Sequence, residues 1–337
     1  MKIDMSPIKT ETQVLRDKIV QLFLQANGAA LSGTALSEAT GVTRTAIWKH
    51  IHQLEELGFE FESAPKIGHR LVQVPDVLME PLLEQVLPDG SALGHTVVFT
   101  PEIDSTNKLA VELAQEGGAD GTLVTAQVQT SGRGRRGRNW FSHPGGAWFS
   151  VIIRRPLPLA RAFELTLLAS VALRRVINRL SLLDVKIKWP NDLFVDGRKL
   201  CGILAEIRSD GEQVQQAVVG VGVNCNIPKA DFPSSIEDVA TSILASSGRP
   251  IDRTKLVAGF LLEYGPMVQK LAEGEPAFEL VHDEWCKHSH TLGRFIRVQT
   301  NHELLEGRAL RFLVDGTLIL ETSSGEEVPV HSGEVLF

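Results

Sequence analysis

The stretch TSGRGRRGRNW, residues 130–140, is called the arginine loop below. It decides whether the chain has a dinucleotide-binding fold. Its glycines spell the G-x-G-x-x-G pattern of dinucleotide-binding folds, in which a helix must follow so that its N-terminus faces a pyrophosphate. Here NWFSHPGGAW, residues 139–148, follows with a proline and two glycines, and no acidic residue stands about 20 positions downstream. The sequence therefore excludes the dinucleotide-binding fold.

The arginine loop carries four arginines spaced by glycines, between predicted strands at 122–129 and 147–155. Glycine lets the backbone bend closely around a ligand, and guanidinium groups bind carboxylate or phosphate through two parallel hydrogen bonds. An RGG-like nucleic-acid segment would extend further along the chain. The loop therefore predicts a site for a small anion, with a solvated loop of incidental charge as the alternative. The arginines are Arg133, Arg135, Arg136 and Arg138.

Two segments further along the chain suit an anion site. In KIKWPND, residues 186–192, Pro190 ends a predicted strand, so Lys186 and Lys188 share one face of it. A lysine at this strand end would stabilise negative charge during attack on a phosphate, and an ordinary solvated lysine is the alternative. In GVGVN, residues 220–224, small side chains allow a ligand to approach closely, and a tightly packed core strand explains the pattern equally.

The composition sets limits on the class of protein. The chain has 337 residues, 43% of them hydrophobic, and a net charge of −7. Its longest apolar runs, such as 218–223, are too short to cross a bilayer, and no secretory signal pattern begins the chain. Three cysteines without a C-x-x-C pair indicate buried thiols rather than disulfides or a zinc site. We therefore expect a cytoplasmic protein of two or three domains without a membrane partner.

The N-terminal region is predicted to be a winged helix-turn-helix. A short helix begins at Ser32, Gly41 supplies a turn, and Thr43 caps the next helix. Residues 59–74 alternate apolar and polar side chains on both sides of a turn, which predicts a β-hairpin that would serve as the wing. The residues predicted to contact DNA are Thr43, Arg44, Thr45, Trp48 and Lys49 on the helix, and Lys66, His69 and Arg70 on the wing.

The charge of this region limits how it would bind DNA. Residues 1–75 hold eight Lys/Arg and eight Asp/Glu, so the region has no net charge. A specific contact with a DNA site fits this balance, and a broad electrostatic attraction to DNA does not. A small helical cap that packs on the rest of the chain is the alternative.

The whole chain is predicted to be an α+β protein of three domains. Residues 79–288 alternate helices with hairpin-linked strands, and residues 289–337 contain only short strands separated by turns. We expect a winged helix-turn-helix DNA-binding domain at 1–78, a mixed α/β catalytic domain at 79–288 and a small β-barrel at 289–337.

Five segments, in this order and spacing, resemble the biotin protein ligase family: DSTN (104–107), GRGRRGRNW (132–140), KWPND (188–192), GRKLCGIL (197–204) and GVGVN (220–224). With its N-terminal winged helix-turn-helix, the chain resembles over essentially its full length the bifunctional form, which is both biotin protein ligase and biotin operon repressor. The resemblance implies a central fold of the class II synthetase-like, biotin/lipoate ligase type and a C-terminal SH3-like barrel.

The resemblance also implies a reaction and the residues that perform it. Biotin and ATP would give biotinyl-5′-adenylate and pyrophosphate, Mg²⁺ would offset the triphosphate charge, and a lysine of the biotin carboxyl carrier protein would accept the biotin. The implied catalytic residues are Lys188, Arg133 and Arg135. The implied biotin-binding residues are Ser105, Thr106, Asn107, Gln129, Arg133, Gly134, Arg135 and Lys188. The implied adenylate side comprises Trp140, Asn191, Lys199 and Asn224, and the residues that would place the metal are not identified.

The implied partners are the carrier subunit of acetyl-CoA carboxylase, operator DNA of biotin genes and a second copy of the chain. We hypothesise that the adenylate orders the glycine-rich arginine loop and so creates the surface on which two protomers pair. Two alternatives stay open: a regulator that only senses a small carboxylate, and a lipoyl or octanoyl ligase on the same fold. The chain departs from the family pattern at Asn139, where a lysine is common, and at Cys201, where an alanine is common.

Overall fold

The computed structural model describes residues 9–64 and 67–336. Its α-helices are Glu11–Gln25 (α1), Gly33–Thr40 (α2), Arg44–Glu56 (α3), Glu80–Leu83 (α4), Thr106–Gln115 (α5), Glu164–Ser181 (α6), Ile243–Ser247 (α7), Arg253–Ala272 (α8) and His282–Lys287 (α9). Its strands are Glu60–Ala64 (β1), Gly68–Gln73 (β2), Val97–Ile103 (β3), Leu123–Gln129 (β4), Ala147–Ile153 (β5), Leu157–Pro158 (β6), Lys186–Lys188 (β7), Asp192–Val195 (β8), Arg198–Asp210 (β9), Gln213–Val223 (β10), Phe295–Gln299 (β11), Leu304–Phe312 (β12), Leu318–Glu321 (β13), Glu327–Val330 (β14) and Glu334–Leu336 (β15). Across these two ranges, no helix has the length and apolar character needed to span a membrane.

The N-terminal elements form the predicted winged helix-turn-helix. Ser32 and Thr43 cap α2 and α3, because each hydroxyl accepts a hydrogen bond from the backbone N–H three residues later, at 3.0 and 3.3 Å. Gly41 ends α2 in the left-handed conformation, with φ 78°, which glycine adopts without steric cost. β1 and β2 pair antiparallel as the wing, with Ala64 opposite Gly68.

The N-terminal domain packs directly on the edge of the central sheet. Phe23 and Ile47 share one hydrophobic core with Met79 and Phe99. The Arg16 guanidinium donates from Nη2 to the Phe99 carbonyl at 3.0 Å and lies 5.0 Å from the Phe99 ring centroid. Since β3 is an edge strand of that sheet, α1 covers part of an edge that would otherwise expose backbone groups.

The central domain is one eight-stranded sheet between two helical layers. Its strand order is β3-β4-β5-β10-β9-β8-β7, and β6 pairs additionally with β10. Side chains alternate across a strand, so Val97 and Leu123 join the core formed with α6 and α8, whereas Val98 and Val124 pack with α5 on the other face. β3 and β4 are parallel and β9 and β10 are antiparallel, which gives the mixed α/β layer that the sequence predicted.

The hairpin between β8 and β9 has the turn that its sequence predicts. Asp196 and Gly197 both have positive φ, 48° and 77°, as a two-residue turn between antiparallel strands requires. β9 is much longer than β8 and continues past it to Asp210. The part of β9 that borders the cavity described below is its first half, through Lys199 and residues 202–204.

The C-terminal strands form a separate antiparallel sheet with the order β14-β13-β12-β11-β15. Trp189 links the two sheets, because its indole Nε1 donates to the Gly316 carbonyl at 3.0 Å. The C-terminal region is therefore the small all-β unit that the sequence predicted. Its closure into an SH3-like barrel and the three exact domain boundaries stay predictions.

Candidate active site and DNA-binding face

A cavity of about 930 Å³, including its open mouth, collects nearly all of the predicted ligand-binding residues and is called the ligand pocket below. The predicted residues that line it are Ser105, Thr106, Asn107, Gln129, Arg133, Gly134, Arg135, Trp140, Lys188, Asn191 and Lys199. Folding thus brings residues of all five sequence motifs to one pocket. Four of the motifs contribute polar or charged side chains, and the fifth, GVGVN, lines the pocket through residues 220–222.

The start of α5 forms one wall of the ligand pocket. Ser105 occupies the N-cap position, yet its hydroxyl makes no capping hydrogen bond, and the residue is buried. Thr106 donates to Gln129 Oε1 from its backbone N–H at 2.8 Å and from its hydroxyl at 3.0 Å. Gln129 Nε2 in turn donates to Ser142 Oγ at 2.8 Å. These bonds fix the Gln129 amide at the pocket wall.

The Asn107 side chain is held on three sides. Its Oδ1 accepts from Ser150 Oγ at 2.6 Å, and its Nδ2 donates to Glu206 Oε2 at 2.9 Å and to the Leu204 carbonyl at 3.3 Å. A Cβ atom on Gly220 would lie only 1.8 Å from Asn107 Oδ1. The first glycine of GVGVN therefore makes room for a protein amide at the pocket wall, which the sequence alone did not reveal.

The arginine loop folds as a tight hairpin. The Gly134 N–H donates to the Arg138 carbonyl at 2.7 Å, and the Trp140 N–H donates to the Gly132 carbonyl at 2.8 Å. A short 3₁₀ turn over Arg135–Gly137 closes the hairpin. Residues 130–148 are all described and contain no α-helix, so the pyrophosphate geometry of a dinucleotide fold does not occur here, as the sequence predicted.

Each arginine of the loop donates to a different neighbour. The pairs are Arg133 with Glu206 Oε1 at 3.1 Å, Arg135 with Asn191 Oδ1 at 3.0 Å, Arg136 with the Gln299 carbonyl at 3.0 Å, and Arg138 with Glu334 Oε2 at 2.6 Å. The first two partners belong to the central domain, and the last two belong to the C-terminal sheet. The loop is therefore braced between both units above the ligand pocket.

Lys188 enters the ligand pocket from the end of β7. Its ammonium nitrogen lies 5.1 Å from the Phe194 ring centroid. Burial lowers the pKa of Lys188 below its usual 10.5, an effect that Asp192 opposes and Lys199 reinforces. A partly desolvated cation acts more strongly on a bound phosphate than a solvated one, because the local dielectric is lower. Lys186, on the same strand, pairs with Asp184 at 3.0 Å and does not line the pocket.

Trp140 forms the opposite wall, against two glycines on neighbouring strands. Gly202 and Gly222 face each other in the register of β9 and β10, and Cβ atoms on them would lie 3.0 and 2.4 Å from the Trp140 indole. Lys199 Nζ lies 5.2 Å from the Trp140 ring centroid and 2.7 Å from Asp192 Oδ2. A flat aromatic surface beside a cation suits a purine base with its phosphate.

Asn224 does not line the ligand pocket, and its assignment to the adenylate side stays a prediction. Its side-chain Nδ2 donates to the Thr241 carbonyl at 2.9 Å, and its backbone N–H donates to the Leu200 carbonyl at 3.0 Å. The residue is only 4% exposed. In this structure Asn224 secures the chain after β10, because its amide is committed to the backbone. Cys201 is also buried, so the departure from alanine at that position lies in the core.

The ligand pocket is positively charged although the chain is negatively charged. Its lining contains six Lys/Arg and two carboxylates, against a net charge of −7 for the chain. A cleft lined by one sign of charge attracts the opposite sign. The pocket therefore suits a carboxylate and phosphates, as the arginine loop predicted.

The described residues do not form a dedicated metal site. Within residues 9–64 and 67–336, no group of three or more His, Cys, Asp or Glu could hold a metal ion. Asp192 and Glu334, the two carboxylates in the pocket lining, already pair with Lys199 and Arg138. Oxygen ligands for Mg²⁺ would thus have to come mainly from a bound phosphate chain.

The predicted DNA-contacting face of α3 is open to solvent. Trp48 is 63% exposed and stacks on His52, with ring centroids 5.9 Å apart. Ile47 and Ile51 point the other way into the domain core. Thr43, Arg44, Thr45 and Lys49 are also exposed. One face of the helix is therefore free to enter a major groove.

On the wing, two predicted DNA contacts are described. Arg70 is exposed and pairs with Glu62. His69 is half-buried and lies 2.7 Å from Ser63 Oγ through Nδ1, while its backbone pairs with Leu31. Lys66 lies outside the described residues.

Three acidic residues near the ligand pocket were missed at the sequence level: Asp192, Glu206 and Glu334. Glu206 follows from the period of two along β9 only once the structure shows that Gly202 and Leu204 line the pocket. No local signal existed for Glu334, which meets Arg138 across 196 positions of sequence.

Comparison with known proteins agrees with this architecture. The model of the biotin/lipoate A/B protein ligase family matches residues 99–224, and a helix-turn-helix domain model matches residues 16–70. The bifunctional ligase/repressor BirA of Bacillus spizizenii is 36% identical over 313 residues, covering 92% of this chain and 95% of that protein. The bifunctional ligase/repressor BirA of Escherichia coli is 31% identical over 319 residues, covering 92% and 96%.

A solved structure shows the same fold. The biotin protein ligase of Aquifex aeolicus, in complex with biotin and ATP, superposes with a TM-score of 0.61 at 24% identity, over 72% of this chain and 97% of that one. The two long sequence matches cover both the helix-turn-helix and the ligand pocket. The chain therefore belongs to the family of bifunctional ligase/repressor proteins built on the biotin/lipoate A/B protein ligase domain.

Proposed function

We propose that this protein is an ATP-dependent biotin protein ligase that is also a biotin-responsive repressor of biotin synthesis genes. The observation that carries the ligase proposal is the pocket that joins Lys188 and Arg135 to the Ser105–Asn107 wall. Relatives that match nearly the whole chain are named ligase and repressor, and the chain keeps both the pocket and the exposed recognition helix.

In the first step, a biotin carboxylate oxygen forms a bond to the α-phosphorus of ATP. The bond from that phosphorus to the oxygen bridging to the β-phosphate breaks, which releases pyrophosphate and leaves biotinyl-5′-adenylate. Negative charge concentrates on the α-phosphate oxygens as the new bond forms. In this proposal Lys188 and Arg135 stabilise that charge, and such preorganised cations lower the barrier because they act mainly in the transition state.

In the second step, the amine of a lysine on the biotin carboxyl carrier protein attacks the acyl carbon of the adenylate. The acyl carbon to phosphate-oxygen bond breaks, AMP leaves, and the amine loses a proton to give an amide. The open mouth of the ligand pocket would admit a lysine side chain from a partner protein. Mg²⁺ would arrive with ATP, since the described residues offer no metal cage.

The repressor activity is proposed to depend on biotinyl-adenylate through the arginine loop. The Arg133 and Arg138 side chains are 53% and 63% exposed. A ligand that replaces their present ion pairs would therefore also change the protein surface. We propose that two protomers then pair and place their winged domains on the half-sites of a palindromic operator. DNA and the carrier protein as partners would place this protein in the cytoplasm.

The ligase proposal is tested by a streptavidin blot of a purified carrier domain after incubation with the protein, biotin and ATP. Labelling is expected from the wild-type chain and from Lys186→Ala, and not from Lys188→Ala. If no condition labels the carrier while biotin still binds, the protein is a ligand-sensing regulator without ligase activity. If lipoate or octanoate is transferred and biotin is not, it is a lipoyl or octanoyl ligase.

The regulatory proposal is tested by analytical ultracentrifugation and by a gel shift on DNA upstream of biotin genes. Biotinyl-adenylate is expected to raise both the association constant and the fraction of shifted DNA. Equal association constants with and without biotinyl-adenylate would show that the ligand does not control pairing.

A further inference from the structure

Glu206, near the middle of β9, connects the wall of the ligand pocket to the arginine loop. One carboxylate oxygen accepts from Asn107 Nδ2 at 2.9 Å, and the other accepts from Arg133 Nη1 at 3.1 Å. Asn107 comes from α5 and Arg133 from the loop, so two separate segments meet on one carboxylate. The Glu206 side chain is 29% exposed, which leaves it partly shielded from water.

The chemistry of these contacts requires a carboxylate. Both partners of Glu206 are donors, and an ionised carboxylate offers two oxygens that only accept. A glutamine in the same place has one accepting oxygen, so its NH₂ group would face a second donor. Neither a glutamine nor an alanine could therefore satisfy Asn107 and Arg133 together.

Glu206, together with the Leu204 carbonyl, determines which way the Asn107 amide points. Because Glu206 takes the amide nitrogen, Asn107 must turn its oxygen toward Ser150, which donates to it at 2.6 Å. Gly220 gives this amide its space, since a Cβ there would lie 1.8 Å from the Asn107 oxygen. The Asn107 amide thus has one favoured orientation, with acceptors at its nitrogen and a donor at its oxygen.

We propose that Glu206 is a positioning residue that holds the Asn107 wall and the Arg133 end of the loop in register, so that the pocket is preformed for biotin. This inference rests on the proposed ligase function and adds a residue to it. Glu206 acts through Asn107 and Arg133 and does not line the pocket itself. Its removal should weaken biotin binding more than it slows the chemical step.

The test is steady-state pyrophosphate release with biotin varied at saturating ATP, together with calorimetric titration of biotin. Glu206→Gln is compared with the wild-type chain and with Asp210→Asn, an exposed carboxylate further along β9 that removes the same charge. Glu206→Gln is expected to raise the biotin KM and Kd by about tenfold or more, the scale of a lost hydrogen bond to a charged group, with kcat changed by less than about twofold. Asp210→Asn should leave both unchanged.

A double-mutant comparison separates positioning from general loosening of the fold. In an Arg133→Ala background, Glu206→Gln should have a smaller effect on the biotin Kd than in the wild-type background, because one partner is already gone. If Glu206→Gln raised the biotin Kd by the same factor in both backgrounds, or left the biotin KM unchanged, the assignment would be overturned. A wild-type chain that released no pyrophosphate with biotin and ATP would instead overturn the proposed function, and the assignment with it.

Discussion

Arg135 donates from Nη1 to Asn191 Oδ1 at 3.0 Å, which joins the arginine loop directly to the KWPND segment. The two residues are 56 positions apart in the chain. Asn191 is itself fixed, because its Nδ2 donates to the Ile203 carbonyl at 2.9 Å. Arg135 is thereby held in the ligand pocket, whose lining also includes Lys188.

Removal of the Lys188 ammonium should abolish adenylate formation without unfolding the protein. Lys188→Ala is expected to reduce pyrophosphate release by about 100-fold or more, the usual cost of losing a charge-stabilising group. Lys186→Ala is the matched control, because it removes a lysine from the same strand outside the pocket. Thermal denaturation should show similar midpoints for both variants. Equal rates in the two variants would remove Lys188 from the mechanism.

The pH dependence of adenylation should report the lowered pKa of Lys188. As the pH rises through that pKa, the ammonium loses its proton and its charge, so kcat/KM should fall at a pH below 10.5. Lys199 contributes to the lowering, so Lys199→Met should move the alkaline fall to higher pH. The measurement is initial-rate pyrophosphate release across pH 7 to 10.5 at constant ionic strength. A fall that stays at the same pH in Lys199→Met would exclude Lys188 as the titrating group.

Alanine substitutions at the two glycines of β10 should weaken the binding of different substrates. Gly220→Ala places a methyl group against Asn107, and Gly222→Ala places one against the Trp140 indole. We expect the first to raise the biotin KM and the second to raise the ATP KM, each with a loss of about 1–3 kcal/mol in unfolding free energy. Varying the two substrates separately, with denaturant unfolding alongside, checks both expectations. The same change in both KM values from each variant would contradict this division of the pocket.

Recognition of DNA should depend on α3 and be separable from ligase activity. Arg44→Ala and Trp48→Ala are each expected to weaken binding of upstream biotin-gene DNA by about 1–3 kcal/mol, the range for a base contact. Lys18→Ala, which removes an exposed positive charge from α1, should have little effect. Fluorescence anisotropy at two salt concentrations measures binding, and pyrophosphate release should stay unchanged in all three variants. An equal loss with Lys18→Ala would indicate non-specific attraction instead.

Local signals in the sequence predicted many of the elements well. Ser32, Thr43 and the Asp196-Gly197 turn lie where caps and a hairpin turn were predicted, because caps and tight turns depend on a few adjacent residues. Alternating apolar residues likewise predicted the strands, since each side of a strand packs against a different layer.

The motifs alone also determined the type of site. Glycines interleaved with arginines, a lysine at a strand end and the DSTN segment indicated a pocket for a carboxylate and a phosphate, and the structure assembles eleven of the twelve predicted ligand-binding residues there. Asn224 is the exception. Its amide bonds to Thr241, a contact that forms only when the chain folds back after β10.

The sequence by itself determined which chemical groups this protein has and which local turns, caps and faces they occupy, because those depend on neighbours within a few residues. Only the tertiary structure decided how the groups are paired. Glu206 with Asn107 and Arg133, and Arg138 with Glu334, are partners separated by 73 to 196 positions. Such pairs depend on the packing of whole layers against each other, and no local periodicity specifies which two distant side chains that packing brings within hydrogen-bond distance.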